Sequence, residues 1–259
     1  LCSCILIKPP PGRHAVDGAP RGNRSCSWDI LYARLVGFFS LALISAEEKT
    51  PKFAPYHFHP YKYGPFSYKM YSDLAYLEKK GCIERKYPDK KKIPQLTKHG
   101  KSEAQISKST ITFLNNQLQE FTSIESLIDD IYTKYPQYTC KSERRHIPKQ
   151  NQLPDQPGIF LIGYEGKDID QFLFDLIINN ITVLIDVRNN PRSMKYMFNQ
   201  KRLKRSLQNV GIHYQHYPKR GIPKEFRSDL NTRADYEALF AKYRQQLPDR
   251  EDIISKILD

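Results

Sequence analysis

The strongest constraint on this chain is an alternation of apolar strands and amphipathic helices in its last hundred residues. Residues 159–164 form a continuous apolar run, which is typical of a strand covered on both faces. Apolar residues then recur at helical spacing over 169–177, and 183–188 is a second apolar strand. A helix over about 200–209 and a third strand over 212–217 follow. This order predicts an incomplete βαβαβ unit, a Rossmann-like α/β domain with a parallel sheet.

Composition divides the rest of the chain. Residues 1–28 contain three consecutive prolines and no helix or strand period, so we expect them to be disordered or foreign to the native start. Residues 29–135 are typical of a mostly helical domain. The segment 136–157 contains four prolines and few apolar residues, which predicts a linker before a second domain at 158–259.

The number of cysteines and the hydropathy of the chain indicate its cellular compartment. The chain of 259 residues has five cysteines, an odd number that does not fit a disulfide scaffold, so we expect a reducing, cytoplasmic setting. The apolar stretch 35–46 is shorter than the roughly 20 residues that a membrane-spanning helix needs. We therefore expect a buried helix there, rather than a signal peptide or a membrane span.

The first domain contains the sequence order of a winged helix. Ser67 can cap a helix whose apolar residues repeat every third or fourth position, and Gly81 can end it. A hairpin with a lysine-rich turn follows, and residues 62–101 carry eleven basic and four acidic residues. Such a helix enters the major groove while the wing contacts phosphate, although winged helices also dock proteins. The predicted nucleic-acid contacts are Lys69, Lys90, Lys91, Lys92 and Lys98.

Polar residues near the ends of the predicted strands form a candidate site, because ligands bind beyond the carboxyl ends of parallel strands. Asp186 ends a buried strand and needs a partner, and Arg188 points to the same side. The pair fits a ligand site or a purely structural ion pair. Gly163 and Gly166 allow an anion to approach the backbone closely, but their spacing also fits a plain tight turn. The candidate site comprises Gly163, Tyr164, Gly166, Asp186, Arg188, Arg192, Ser193, Phe198 and Tyr214, with Asp186 as the candidate catalytic residue.

Basic and aromatic residues are interleaved over 186–227, a segment with eleven basic and two acidic residues. On the predicted helix, Lys201, Lys204 and Arg205 share one side. Phosphate contacts together with aromatic stacking are what single strands or nucleotides require. We therefore expect a nucleic acid, with DNA favoured, or a nucleotide as partner, and the alternative is a solvated helix face.

Metal and thiol chemistry have little support. Cys2, Cys4, His14 and Cys26 lack the spacing of a zinc site. No cysteine follows Cys140, so the second domain lacks a thiolate nucleophile. We expect no metal, no cofactor and no membrane partner, and a homodimer stays open.

Several motifs of the second domain resemble a known family. They are Ile162-Gly163-Tyr164-Glu165-Gly166, Leu184-Ile185-Asp186-Val187-Arg188-Asn189-Asn190-Pro191-Arg192-Ser193, Phe198-Asn199, Gly211-Ile212-His213-Tyr214 and Gly221-Ile222-Pro223. Together they resemble the domain of unknown function 488 family, which implies a Rossmann-type α/β domain without an established activity and a role with nucleotides or nucleic acids. The family pattern continues with a further strand and a Cys-His-Arg segment, so we expect a fragment, or a site that is half missing. The matching motif residues are Gly163, Asp186, Arg188, Pro191, Ser193, Phe198 and Tyr214.

A shorter motif lies upstream, where Tyr63-Gly64-Pro65-Phe66-Ser67 resembles winged-helix-like regions of some phage-defence and antitoxin-related proteins. The sequence thus predicts a winged-helix reader joined to a Rossmann-like domain that binds a nucleotide, a base or a phosphate backbone. Arg188 and Arg192 would clamp phosphate, Tyr164 or Tyr214 would stack, and Asp186 would orient Arg188 or accept a proton. The alternatives are a hydrolase or transferase of nucleic acid or nucleotides, and a regulatory module that docks a protein.

Overall fold

The computed structural model of the chain describes residues 3–8, 56–62, 64–86, 93–103, 123–143, 158–226 and 230–245, with isolated positions between 108 and 119. The predicted apolar helix at 35–46, the lysine turn 90–92, and Cys2, His14 and Cys26 lie outside these ranges. The strands are β1 (Ser3–Lys8), β2 (His59–Tyr61), β3 (Gly64–Phe66), β4 (Ile83–Lys86), β5 (Ile93–Leu96), β6 (Gly158–Gly163), β7 (Val183–Asp186) and β8 (His213–His216). The helices are α1 (Tyr68–Lys79), α2 (Lys98–Glu103), α3 (Ile124–Lys134), α4 (Ile169–Ile178), α5 (Gln200–Asn209) and α6 (Arg233–Gln245).

The chain forms two compact units. The sheet unit contains residues 1–19, 155–166 and 181–259, and the helical unit contains residues 20–154 and 167–180. This division differs from the predicted domain ranges, because α4 groups with the helical unit. Among the described helices, none is both long enough and apolar enough to cross a membrane.

The sheet unit is built on a sheet with the strand order β6-β1-β7-β8 among the described residues. Strand β7 pairs in parallel with β8, so that Asp186 lies opposite His216. Strand β1 lies between β6 and β7 and is antiparallel to both. The α/β class is confirmed. Among the described strands, the predicted parallel pairing is present between β7 and β8, whereas β1 is inserted antiparallel between β6 and β7, and a Rossmann-like arrangement stays a prediction.

Strand β1 comes from the segment that we expected to lack regular structure. Its residues 4–7 read Cys-Ile-Leu-Ile, an apolar and partly β-branched run that suits a pleated sheet. The run is too short to show the alternation of a strand, and prolines follow it closely. Only its long-range pairing with β6 and β7 identifies it as a strand.

The parallel pair is connected by α5. Its apolar residues Leu203 and Leu207 are buried, as are Leu184 and Ile185 of β7. Gly211 follows the helix with a φ of 75°, a conformation in which glycine avoids the strain of a Cβ atom. The helix and both strands therefore form where the sequence periodicity predicts them.

The helical unit has its own apolar core, whose described members are Phe58, Met70, Leu127, Ile128, Ile131, Tyr132 and Tyr135. Ser67 caps α1 by accepting from Met70 N at 3.3 Å, and Gly81 has a φ of 72°, so both predicted helix signals are confirmed. Strands β4 and β5 pair as an antiparallel hairpin after α1. The predicted helix and hairpin are thus present, and a winged-helix arrangement of them stays a prediction.

One buried carboxylate ties the start of α1 to β2 and α4. Asp170 and His59 are both 0% exposed. Asp170 Oδ1 lies 3.0 Å from His59 Nδ1 and accepts from Tyr68 N at 2.8 Å. Its Oδ2 accepts from Ser67 Oγ at 3.0 Å and from Lys69 N at 3.2 Å. A carboxylate here satisfies helix amides that lack an internal partner and complements the helix dipole.

Replacing Asp170 with Ala is predicted to lower the free energy of unfolding by about 3–5 kcal/mol, because several buried polar groups lose their common acceptor. The matched control is Asp168→Ala, which removes only the cap of α4, a bond from Gln171 N at 2.8 Å together with an exposed contact to His57. That variant is expected to lose about 1 kcal/mol. Urea unfolding measures both, and equal losses would contradict the organising role of Asp170.

Candidate functional site

A buried ion pair lies at the carboxyl end of β7. Arg188 Nε donates to Asp186 Oδ1 at 2.8 Å, and Arg188 Nη2 donates to Oδ2 at 2.5 Å. The third guanidinium nitrogen, Nη1, donates to the carbonyl of Phe198 at 2.9 Å. Asp186 is 0% exposed and Arg188 is 5% exposed. Protein groups therefore occupy all three nitrogens of the guanidinium, in the bidentate geometry that arginine and carboxylate prefer.

The Tyr214 hydroxyl completes the surroundings of Asp186 by donating to Oδ2 at 2.7 Å. Burial alone raises the pKa of Asp186, but the hydrogen bonds and charge of Arg188 together with the Tyr214 hydroxyl outweigh it and hold the pKa below its usual value. Burial and the neighbouring Asp186 carboxylate raise the pKa of Tyr214. At neutral pH the cluster is thus a carboxylate, a guanidinium and a neutral phenol.

This geometry favours the structural alternative for the pair. A general base must reach the proton that it takes, yet both oxygens of Asp186 already accept hydrogen bonds inside the protein. Likewise, a phosphate clamp needs an accessible guanidinium, whereas Arg188 is 5% exposed and directs three of its five N–H groups at Asp186 and Phe198. The pair fixes the loop that follows β7.

Two predicted aromatic residues pack inside the sheet unit. The rings of Tyr164 and Phe198 stack with centroids 4.4 Å apart, and they are 6% and 1% exposed. The guanidinium of Arg188 lies 5.4 Å from the Tyr164 centroid, and Lys195 Nζ donates to the Tyr164 carbonyl at 3.2 Å. Tyr164 therefore offers little surface on which a base could stack.

The remaining predicted residues shape loops. Gly166 has a φ of 74° in the turn after β6, which fits the tight-turn alternative, and Gly163 ends that strand. Ser193 N donates to Asn199 Oδ1 at 3.0 Å, and Ser193 Oγ accepts from Lys195 N at 3.1 Å. These bonds hold the loop before α5, on which the side chain of Arg192 is exposed.

A second cluster lies on the outer side of α5. We call Lys201, Arg202, Lys204 and Arg205 the basic face. All four are exposed, while Leu203, Ser206 and Leu207 are buried on the other side of the helix. None of the four forms an ion pair with a carboxylate in the described part of the chain.

An exposed aromatic residue adjoins the basic face. Tyr196 is 59% exposed, and the guanidinium carbon of Arg202 lies 3.4 Å from its ring centroid. Neither Arg202 nor this contact was predicted from the sequence. The two residues lie on either side of a helix start, and no simple period connects them. Stacking keeps the guanidinium parallel to an aromatic plane and leaves its N–H groups at the edge.

The helical unit contains the other predicted contacts. The side chains of Lys69 and Lys98 are both exposed. The Lys69 amide belongs to the Asp170 cluster at the start of α1, and its Nζ lies 5.6 Å from the ring centroid of Tyr56. Within the described residues, no group of three or more His, Cys, Asp or Glu side chains is arranged to hold a metal ion.

The pKa direction of Asp186 predicts how stability depends on pH. A carboxyl group whose pKa is lower in the folded state stabilises the fold above its unfolded pKa, about 3.9, and loses that contribution as pH falls through the folded pKa. Asp186→Asn is therefore expected to lower the free energy of unfolding at pH 7 and to flatten its decline below about pH 4. Urea unfolding at several pH values measures this, with exposed Glu165→Gln as the control. Parallel pH curves for wild type and Asp186→Asn would contradict the pairing.

Comparison with known proteins extends to part of the chain. Residues 168–259 match the family model described as Domain of unknown function DUF488. This supports the family resemblance, whereas the upstream resemblance to phage-defence proteins stays a prediction. Neither the curated proteins nor the solved structures contain a match to this chain. The described end of the sheet unit, with its buried Asp186–Arg188 pair and its basic face, thus lies within a segment that resembles a family of unknown function.

Proposed function

We propose that this chain binds nucleic acid, with DNA favoured, through the basic face of α5. The observation that carries the proposal is the exposure of Lys201, Arg202, Lys204 and Arg205 without a carboxylate partner among the described residues. Cations that are not neutralised within the protein can displace the counterions of a phosphate backbone. A face that served only solubility would not need such a one-sided set of charges, because mixed signs serve that purpose.

The spacing of these charges suits a chain of phosphates. Lys201, Lys204 and Arg205 lie within about one helical turn, which rises about 5.4 Å. Their long side chains can therefore reach neighbouring phosphates of one strand. Arg192, on the loop before α5, adds a further exposed cation beside this face.

The Tyr196–Arg202 pair supports a contact with bases as well. An exposed ring provides a surface for an unpaired base, and an arginine stacked on that ring can bond to a phosphate or a base edge with its N–H groups. Tyr196 has an exposed ring, whereas Tyr164, which the sequence predicted to stack, is buried. The proposed ligand surface is thus the outer side of α5 and the loop before it.

The finer fold assignments belong to the same proposal. Strand β7, helix α5 and strand β8 form a parallel strand–helix–strand unit, which supports a Rossmann-like domain. The order of α1 and the β4–β5 hairpin supports a winged-helix reader in the helical unit, with Lys69, Lys90, Lys91, Lys92 and Lys98 as its phosphate contacts. A nucleotide remains the alternative ligand of the Rossmann-like domain.

Two other functions predict different behaviour. A hydrolase or transferase with Asp186 as general base would require that carboxylate to leave Arg188 and Tyr214. A regulatory module that docks a protein would bind its partner with little dependence on salt. The bonding of Asp186 weighs against the first, and a salt titration separates the second from our proposal.

The triple variant Lys201, Lys204 and Arg205→Ala is predicted to weaken binding to DNA and to reduce its salt dependence. Removing three phosphate contacts should lower the slope of log affinity against log salt by about 2 on single-stranded DNA. Fluorescence anisotropy with labelled single-stranded and duplex oligonucleotides across a salt series measures both quantities.

The control for that variant removes three exposed cations from α6, by changing Arg233, Lys242 and Arg244 to Ala. It changes net charge by the same amount and is expected to leave the slope within error. Equal effects of the two triple variants would show that net charge alone drives binding, and an unbound wild type at low salt would refute the proposal.

Tyr196→Ala is predicted to weaken binding of single-stranded DNA by about 1–3 kcal/mol, because the exposed ring can no longer stack on a base. The salt slope should not change, since no charge is removed. Tyr236→Ala, which removes an exposed tyrosine from α6, is the control. Anisotropy at fixed salt measures the difference, and unchanged affinity would exclude Tyr196 as a stacking residue.

A further inference from the structure

Arg220 is a buried cation that the basic face does not include. It ends the 3₁₀ turn Pro218–Arg220, which follows directly after β8, and it is 7% exposed. Its Nε and Nη2 atoms are buried and have no hydrogen-bond partner in the described part of the chain. In the sequence, Arg220 is only one of the eleven basic residues over 186–227.

The backbone holds Arg220 in place. Its N donates to the Tyr217 carbonyl at 3.0 Å, and its carbonyl accepts from the Tyr243 hydroxyl of α6 at 2.5 Å. The next residue, Gly221, packs so tightly that a Cβ atom there would lie 2.1 Å from Asn189 N and 2.6 Å from the Val187 carbonyl oxygen. Arg220 is therefore fixed against the loop that follows β7, at the carboxyl end of the parallel pair, where α/β sheets bind ligands.

Asp186, a carboxylate at this end of the sheet, does not pair with Arg220. Asp186 is bonded to Arg188 through both oxygens and to the Tyr214 hydroxyl. A guanidinium keeps its charge in proteins, and burying one without a counterion costs several kcal/mol in folding free energy. Within the described ranges nothing bonds to Nε or Nη2 of Arg220, so this guanidinium can take an anion from outside the chain.

We propose that Arg220 binds a phosphate monoester, supplied either by the phosphorylated end of an oligonucleotide or by a mononucleotide. Two parallel N–H groups of a guanidinium fit two oxygens of a phosphate. A buried guanidinium favours a terminal phosphate, because a phosphodiester within a strand is flanked by sugars on both sides. Naming nucleic acid as a source rests on the proposed function, but the phosphate site itself does not.

The first test uses inorganic phosphate as the probe. Thermal unfolding of wild type in phosphate is compared with unfolding in chloride and in acetate at equal ionic strength. We expect phosphate to raise the unfolding temperature of wild type, because a ligand that binds only the folded state stabilises it. Arg220→Met should lose this response, while Lys219→Met, which removes the adjacent exposed charge, should keep it. No response in wild type, the same response in acetate, or an unchanged response in Arg220→Met would overturn the proposal.

The second test identifies the source of the phosphate. One oligonucleotide is compared in its 5′-hydroxyl, 5′-phosphate and 3′-phosphate forms, beside a mononucleotide as competitor. We expect a phosphorylated end to bind wild type roughly tenfold more tightly, as charge-assisted hydrogen bonds allow, and Arg220→Met to abolish that preference. A preference that persists in Arg220→Met would overturn the assignment to Arg220.

The two proposals fail in different ways. If the unphosphorylated oligonucleotide does not bind but phosphate still stabilises wild type through Arg220, the basic-face proposal fails and a mononucleotide becomes the source. If the unphosphorylated oligonucleotide binds, but neither stabilisation by phosphate nor the affinity for a phosphorylated end depends on Arg220, the Arg220 proposal fails alone. Should Arg220→Met not fold, Arg220→Lys replaces it, because lysine retains the charge and loses the bidentate fork. A phosphate response of full size in Arg220→Lys would then count against the bidentate site.

Discussion

The ion pair between Asp186 and Arg188 connects the end of β7, the loop after it and the segment before α5. It closes the loop after β7 on itself, and the third guanidinium nitrogen reaches the Phe198 carbonyl just before α5. The backbone around the pair is also bonded to the neighbouring strand, since Tyr217 N donates to the Asp186 carbonyl and His216 Nε2 lies 2.8 Å from the Arg188 carbonyl oxygen. A bidentate pair in a buried setting is costly to form and costly to break, so it fixes one arrangement of the segments around it.

The cations of the sheet unit are of two kinds, those paired within the protein and those without a carboxylate partner among the described residues. Arg188 is paired with Asp186 within the protein, which favours a structural role for it. The cations of the basic face and Arg220 have no such partner among the described residues, and they differ from each other in exposure. An exposed row of charges suits an extended polyanion, whereas one buried guanidinium suits a single small anionic group. The two proposals therefore assign different parts of a phosphorylated ligand to different parts of the sheet unit.

Local patterns in the sequence predicted the positions of many of the strands and helices. The periods of apolar residues located β6, α4, β7, α5 and β8, and the capping residues Ser67 and Gly81 located the ends of α1. Those features depend on residues close in sequence. The insertion of β1 into the sheet and the bonding of α4 through Asp170 depend on partners that are about one hundred or more residues away, so no local period could reveal them.

The candidate site shows the same limit. Sequence reasoning identified the Asp186–Arg188 pair but could not decide between a clamp and a structural role, because that depends on whether Phe198 and Tyr214 supply the remaining bonds. It likewise placed Arg202 and Arg220 in a count of charges. Only packing distinguishes an arginine stacked on Tyr196 from one buried without a partner.

Hydrogen–deuterium exchange of the full chain, with and without a saturating single-stranded oligonucleotide at low salt, shows whether nucleic acid lies along α5. We expect protection on binding to be concentrated in residues 189–209, which contain the loop and the helix of the basic face. Nucleic acid binds elsewhere if this segment is unchanged while another part of the chain becomes protected.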